Sequence, residues 1–149
     1  MKKFSFKLAK VAETKTIQVK QKSLELAEML RSLESEEMEF NRMSNELEIL
    51  HEEVLQQSVN GCSAKELRDY QRYINKVSAE IRDQKNSMDK IQDKIEELQV
   101  GLMELSKEKE VLEKLREKRY LKHLKEQIRE EQKMLDEMTL ITKGIKNLL

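Results

Sequence analysis

From Leu67 to Leu112 apolar residues return at alternating intervals of three and four, through Tyr70, Ile74, Val77, Ile81, Met88, Ile91, Ile95, Leu98, Leu102 and Leu105, and only Gln84 and Lys109 break the series. The chain has no proline, so no residue removes a hydrogen bond from a long helix. A seam that repeats every ~3.5 residues is what one α-helix needs to wind left-handedly around another. The spacing therefore predicts a coiled coil. Composition excludes the main alternative, because 39% charged and 4% aromatic residues, with no tryptophan, leave too little bulky apolar material for a layered globular core.

A second series precedes the first. Ala12, Val19, Leu26, Leu33, Phe40, Leu47 and Val54 recur every seven residues, and Leu8, Met29, Leu30, Met43 and Leu50 widen the stripe. Between the two series lies Ser58-Val-Asn-Gly-Cys-Ser63, in which Asn60-Gly61 supplies the positive-φ conformation that ends a helix. Ser63 stands three residues before Glu66 as in a capping box, and Cys62 and Leu67 occupy hydrophobic-staple positions. Two amphipathic helices joined by so short a link pack antiparallel.

The expected fold is all-α, an antiparallel coiled-coil hairpin forming one rod over residues 1–149. Helix one covers about 5–58, the turn about 59–62 and helix two about 63–147. Facing residues then have numbers summing to about 121, which sets Glu37 opposite Gln84 as a polar layer able to fix register. Helix two outruns helix one by about 30 residues, or roughly 45 Å. Past Leu112 the heptad phase slips, and apolar residues resume as Leu115, Leu121, Leu124, Ile128, Leu135, Met138 and Ile145. A stripe with no partner in its own chain is left for another molecule or a second copy.

Acids and bases balance at 29 each, which argues against nucleic acid or an anionic membrane as a general partner. No apolar run approaches the ~18–20 residues of a membrane span, and the start Met1-Lys-Lys-Phe4 leads into polar alternation rather than a signal-peptide stretch. A cytoplasmic protein without direct membrane insertion is expected, and the single Cys62 fits a reducing compartment. The net balance hides segregation: residues 1–22 carry seven lysines against Glu13, residues 23–60 carry ten glutamates against Arg31 and Arg42, and residues 114–133 carry eight bases against four acids. Folding the hairpin gathers the two basic segments into a collar suited to an acidic opening.

The stretch Leu112-Glu-Lys-Leu-Arg-Glu-Lys-Arg119, followed by Arg129-Glu-Glu-Gln-Lys-Met-Leu-Asp-Glu137, resembles the signature of the FliJ family of flagellar type III export proteins, as do Phe4-Ser-Phe6-Lys-Leu8 and Tyr70-Gln-Arg-Tyr73-Ile74. The resemblance implies a two-stranded antiparallel coiled coil like the central stalk of rotary ATPases. Its paired termini would enter the hexameric ring of the export ATPase FliI and promote ring assembly, and its middle would contact the export gate FlhA. The export protein FliH and substrate chaperones are further implied partners. On this sequence the ring-facing residues would be Phe4 and Phe6 in the first helical turns, with Leu121, Arg129, Gln132, Lys133, Asp136 and Glu137. The gate-facing residues would be Met43, Leu50, Tyr73 and Val77. Two other readings stay open: a holding chaperone similar to prefoldin, and a structural rod that self-associates through residues 118–149.

Catalysis needs convergent groups in a water-shielded site, and a two-helix rod offers none. No enzyme activity, metal or cofactor is expected, because His51 and His123 lie on different helices, far apart, and no glycine-rich phosphate loop occurs. Cys62 reads as a small staple residue, and the eight methionines as gap fillers, with Met134 and Met138 placed to serve an adaptable partner surface.

Overall fold

The computed structural model describes residues 2–149 as two helices, α1 (Ala9–Asn60) of 52 residues and α2 (Ala64–Leu148) of 85. They pack against each other as a helical hairpin whose second helix is longer. Local chemistry sets the turn between them. Gly61 takes φ 86°, the left-handed conformation that stops a helix without a Cβ penalty. Ser63 Oγ accepts the Glu66 amide at 3.2 Å, and Leu67 N donates to Ser63 O at 3.2 Å, so Ser63 caps α2 as its spacing predicts.

α1 begins at Ala9 rather than near residue 5. Ala9 N donates to Phe6 O at 3.1 Å, and residues 2–6 form a non-helical arm. The sequence expectation put Phe4 and Phe6 on the first helical turns, and this is corrected. Residues two apart point away from each other on a helix but to the same side of an extended strand. Leaving the helix lets both rings face one surface.

The chain divides into two compact units, Lys20–Met103 (the turn unit) and Met1–Val19 with Glu104–Leu149 (the terminal unit). In the turn unit α2 buries Ile74, Val77, Ile95 and Leu98, and from Tyr70 to Leu102 every seam position, Gln84 included, is at least half-buried. α1 answers with its own unbroken three-four row, Lys22, Leu26, Met29, Leu33, Glu36, Phe40, Met43, Leu47, Leu50 and Val54. Met29, Met43 and Leu50 are thus seam members rather than flanks, while Leu30 stays exposed. The tightest cluster joins Leu50, Ile74 and Val77, with Leu47, Val54 and Ile81 against it.

Gln84 is the polar break within this seam, and Lys109 falls in the terminal unit. Gln84 Nε2 donates to the Glu36 carbonyl at 3.1 Å and to its carboxylate. The polar layer therefore uses Glu36, not Glu37, because Glu36 is the residue that the three-four row places between Leu33 and Phe40. The end of the Lys22 side chain lies over Gly101, so that a Cβ there would lie 2.9 Å from Lys22 Nζ. In the terminal unit Lys15 pairs with Glu108 at 2.5 Å, between the half-buried Ala12 and Val19 of α1 and Leu105 and Leu112 of α2.

Candidate interaction surfaces

In the terminal unit the arm lies on α2. Phe6 is buried, with the Arg119 guanidinium 5.6 Å from its ring centre, a favourable cation–π distance. Phe4 meets Tyr120 edge-on at 5.2 Å and His123 at 5.5 Å. Gln127 Nε2 donates to the Lys2 carbonyl at 2.9 Å. A cavity of about 350 Å³ remains between arm and helices, floored by Ala9, Ala12 and Leu112 and rimmed by Glu13, Lys109, Glu113 and Arg116.

The first phase of the α2 seam runs on from Leu105, Lys109 and Leu112 through Arg116, Arg119 and His123 at the same three-four spacing, and Gln127 lies one helical turn further on the same side. This explains the phase slip. One face of α2 turns polar and receives the arm, while a shifted apolar stripe carries on without cover. Along that stripe Leu124 is half-buried, whereas Leu121, Ile128, Leu135, Met138 and Ile145 are each more than half exposed.

Arg129, Gln132, Lys133, Asp136 and Glu137 are all exposed. Their offsets of three, four, seven and eight place them on one side of α2, opposite the stripe formed by Leu135 and Met138. The terminal segment is therefore two-faced. The structure brings Phe4 and Phe6 to the Arg119–Gln127 stretch but not to the Arg129–Glu137 face. Sequence reasoning missed Arg119, Tyr120, His123 and Gln127 as the arm's dock, although carrying the heptad past its slip would have found Arg119 and His123.

In the turn unit, Leu50 and Val77 are buried and Met43 is half-buried, while Tyr73 is 43% exposed. Of the four gate-facing candidates, Tyr73 offers the most accessible surface. Its hydroxyl donates to Glu46 Oε1 at 3.2 Å. That hydrogen bond and the Glu46 charge, helped by desolvation and Glu80, hold the Tyr73 phenol above its ordinary pKa. Arg42 holds Glu39 at 2.6 Å and Glu46 at 3.4 Å, and its hydrogen bond lowers the Glu39 pKa. A hollow of about 420 Å³, lined by Leu50, Glu66, Asp69, Tyr70 and Tyr73, opens beside Tyr73. Glu66, Asp69 and Tyr70 were not assigned to a surface from the sequence.

Among the described residues no helix is long and apolar enough to cross a membrane, and no group of three or more His, Cys, Asp or Glu is placed to hold a metal ion. Residues 4–144 match the family model described as Flagellar FliJ protein. No curated protein and no solved structure matches the chain.

Proposed function

This chain belongs to the FliJ family of flagellar proteins, and we propose that it acts as a noncatalytic coiled-coil stalk and adaptor of the cytoplasmic export apparatus. The paired termini enter the ring of the export ATPase FliI and promote its assembly, and the turn unit meets the export gate FlhA. FliH and substrate chaperones are further partners on this reading. The observation that carries it is the exposed end of α2, where an apolar stripe and the polar face from Arg129 to Glu137 both lack cover among the described residues. A lone helix is marginal in water, so its order is secured by what it packs against. A narrow asymmetric shaft within a symmetric ring biases its subunits to the extent that it binds their states unequally.

The ring contacts on this reading are Leu121, Arg129, Gln132, Lys133, Asp136 and Glu137, with Phe4 and Phe6 bracing α2 where it enters. The gate contacts centre on Tyr73, backed by Met43, Leu50 and Val77. The test is ATP hydrolysis by the cognate export ATPase with the full chain, with a truncation after Ile128 that spares the arm's dock, and with Arg129, Gln132 and Lys133 changed to alanine. Stimulation should fall with both variants. Stimulation that survives both overturns the assignment of the docking end. The same exposed stripe also favours self-association, and sedimentation equilibrium decides between them, since a monomer at working concentration removes that reading.

A further inference from the structure

The hollow beside Tyr73 has an unusual lining for a two-helix surface. Its floor is the buried Leu50, its walls are Tyr70 and Tyr73, and the only charges that line it are the carboxylates of Glu66 and Asp69. Among the described residues neither carboxylate takes part in an ion pair. The nearby bases are engaged or turned elsewhere: Arg42 is held by Glu39 and Glu46, Arg68 donates to the Ala64 carbonyl at 3.3 Å, and none of Lys65, Arg68 and Arg72 lines the hollow. Glu46 on the adjoining face is taken by the Tyr73 hydroxyl. An apolar floor, two π faces and two uncompensated carboxylates suit a side chain with an apolar stem and a cationic head.

We propose that this hollow receives an arginine or lysine side chain from a basic, apolar-flanked segment of a partner protein, its stem over Leu50 and the tyrosine rings and its charge between Glu66 and Asp69. Arginine fits better than lysine, because its planar guanidinium stacks on an aromatic face while donating to a carboxylate. The partner's identity rests on the reading that the turn unit meets the export gate; the chemistry of the hollow does not.

The test uses the full chain, isotope-labelled, titrated with a blocked Leu-Arg-Leu-Arg peptide and separately with its Leu-Glu-Leu-Glu counterpart. The arginine peptide should give saturable shifts confined to the Tyr70 and Tyr73 rings and the amides around Glu66 and Asp69, and the glutamate peptide none. Glu66→Gln with Asp69→Asn should weaken the arginine peptide by about tenfold and leave the helical content unchanged. Shifts spread over all the glutamates of α1, or an unchanged affinity in the double variant, overturn the proposal. So do the same shifts on concentrating the protein alone, which would put a second copy in the hollow.

The soluble part of the export gate is then measured against the same variant. If it fails to bind the unaltered chain while the peptide binds, the gate reading falls and the hollow stands. If it binds and ignores the double variant, the hollow is not its contact and the gate falls as the partner, while the peptide titration alone decides the chemistry of the hollow.

Discussion

In the turn unit five residues are buried, Leu50, Ile74, Val77, Ile95 and Leu98, all from the facing seams of two helices. Among the described residues of the terminal unit Phe6 alone reaches that burial, and it belongs to neither helix. The α2 seam is thus closed along its whole length by α1 in one unit, and in the other by the first turns of α1 followed by a five-residue arm. Burying an aliphatic side chain contributes about 1.5–3 kcal/mol, so the turn unit holds most of the fold's stability. The terminal unit opens at much lower cost, and elements that bind partners are drawn from that end of the stability range.

The largest effect should come from Ile95→Ala set beside Ile128→Ala. Ile95 is 2% exposed and Ile128 61%. The first should cost about 2–5 kcal/mol through lost burial and a cavity, the second less than about 0.5 kcal/mol, read from urea midpoints at constant slope. Similar losses at the two sites would mean that the stripe is covered after all. Next comes Phe6→Ala, expected to cost about 1–2 kcal/mol once the arm's regained freedom offsets the lost burial. Its signature is local: amide exchange should quicken from Ala9 to Thr16 and hardly change at Ile74 or Ile95.

The hairpin was legible in the sequence because a narrow seam has to repeat, and Gly61 and Ser63 mark the turn with residues whose backbone chemistry is specific. The companion row of α1 was harder to see. Lys15, Lys22 and Glu36 sit in seam positions, yet charged residues at such spacing read as a solvent face. Each is accommodated by a long-range partner, Glu108, Gly101 and Gln84 respectively, that one helix alone does not reveal. The arm was hidden for a different reason. Phe4 and Phe6 alternate as in an extended segment, a signal too short to outweigh the helical pattern that follows. For the candidate surfaces, Leu50 and Val77 were picked out as apolar and near the turn, but apolar residues at seam spacing pack inward, and the accessible hollow is walled by Tyr70 and Tyr73 instead.

A smaller effect with the opposite sign is expected at Gly101. An interior helical glycine costs roughly 0.5–1 kcal/mol relative to alanine, and the only close neighbour a new Cβ meets is the movable end of Lys22. Gly101→Ala should therefore stabilise the turn unit by a little less than that, seen as a raised urea midpoint. Gly144, whose added Cβ meets nothing, should gain only helix propensity in the terminal segment and leave the midpoint unmoved. The smallest effect concerns Tyr73. Because Glu46 raises its pKa, the contact contributes stability at neutral pH and loses it as pH rises through that raised value. Ring resonances followed by NMR should show Tyr73 ionising later than it does in Glu46→Gln, and identical titrations would remove the hydrogen bond from the account.

The central claim is that α2 beyond the arm's dock is left uncovered within the chain and is completed by the ATPase ring. Amide hydrogen exchange along residues 129–145, with and without the assembled export ATPase, tests it most directly. The account predicts fast exchange in the free chain, slowed many-fold on adding the ring, while Ile74–Leu98 stays protected throughout. Protection of 129–145 in the free monomer, or no change when the ring is added, would contradict it.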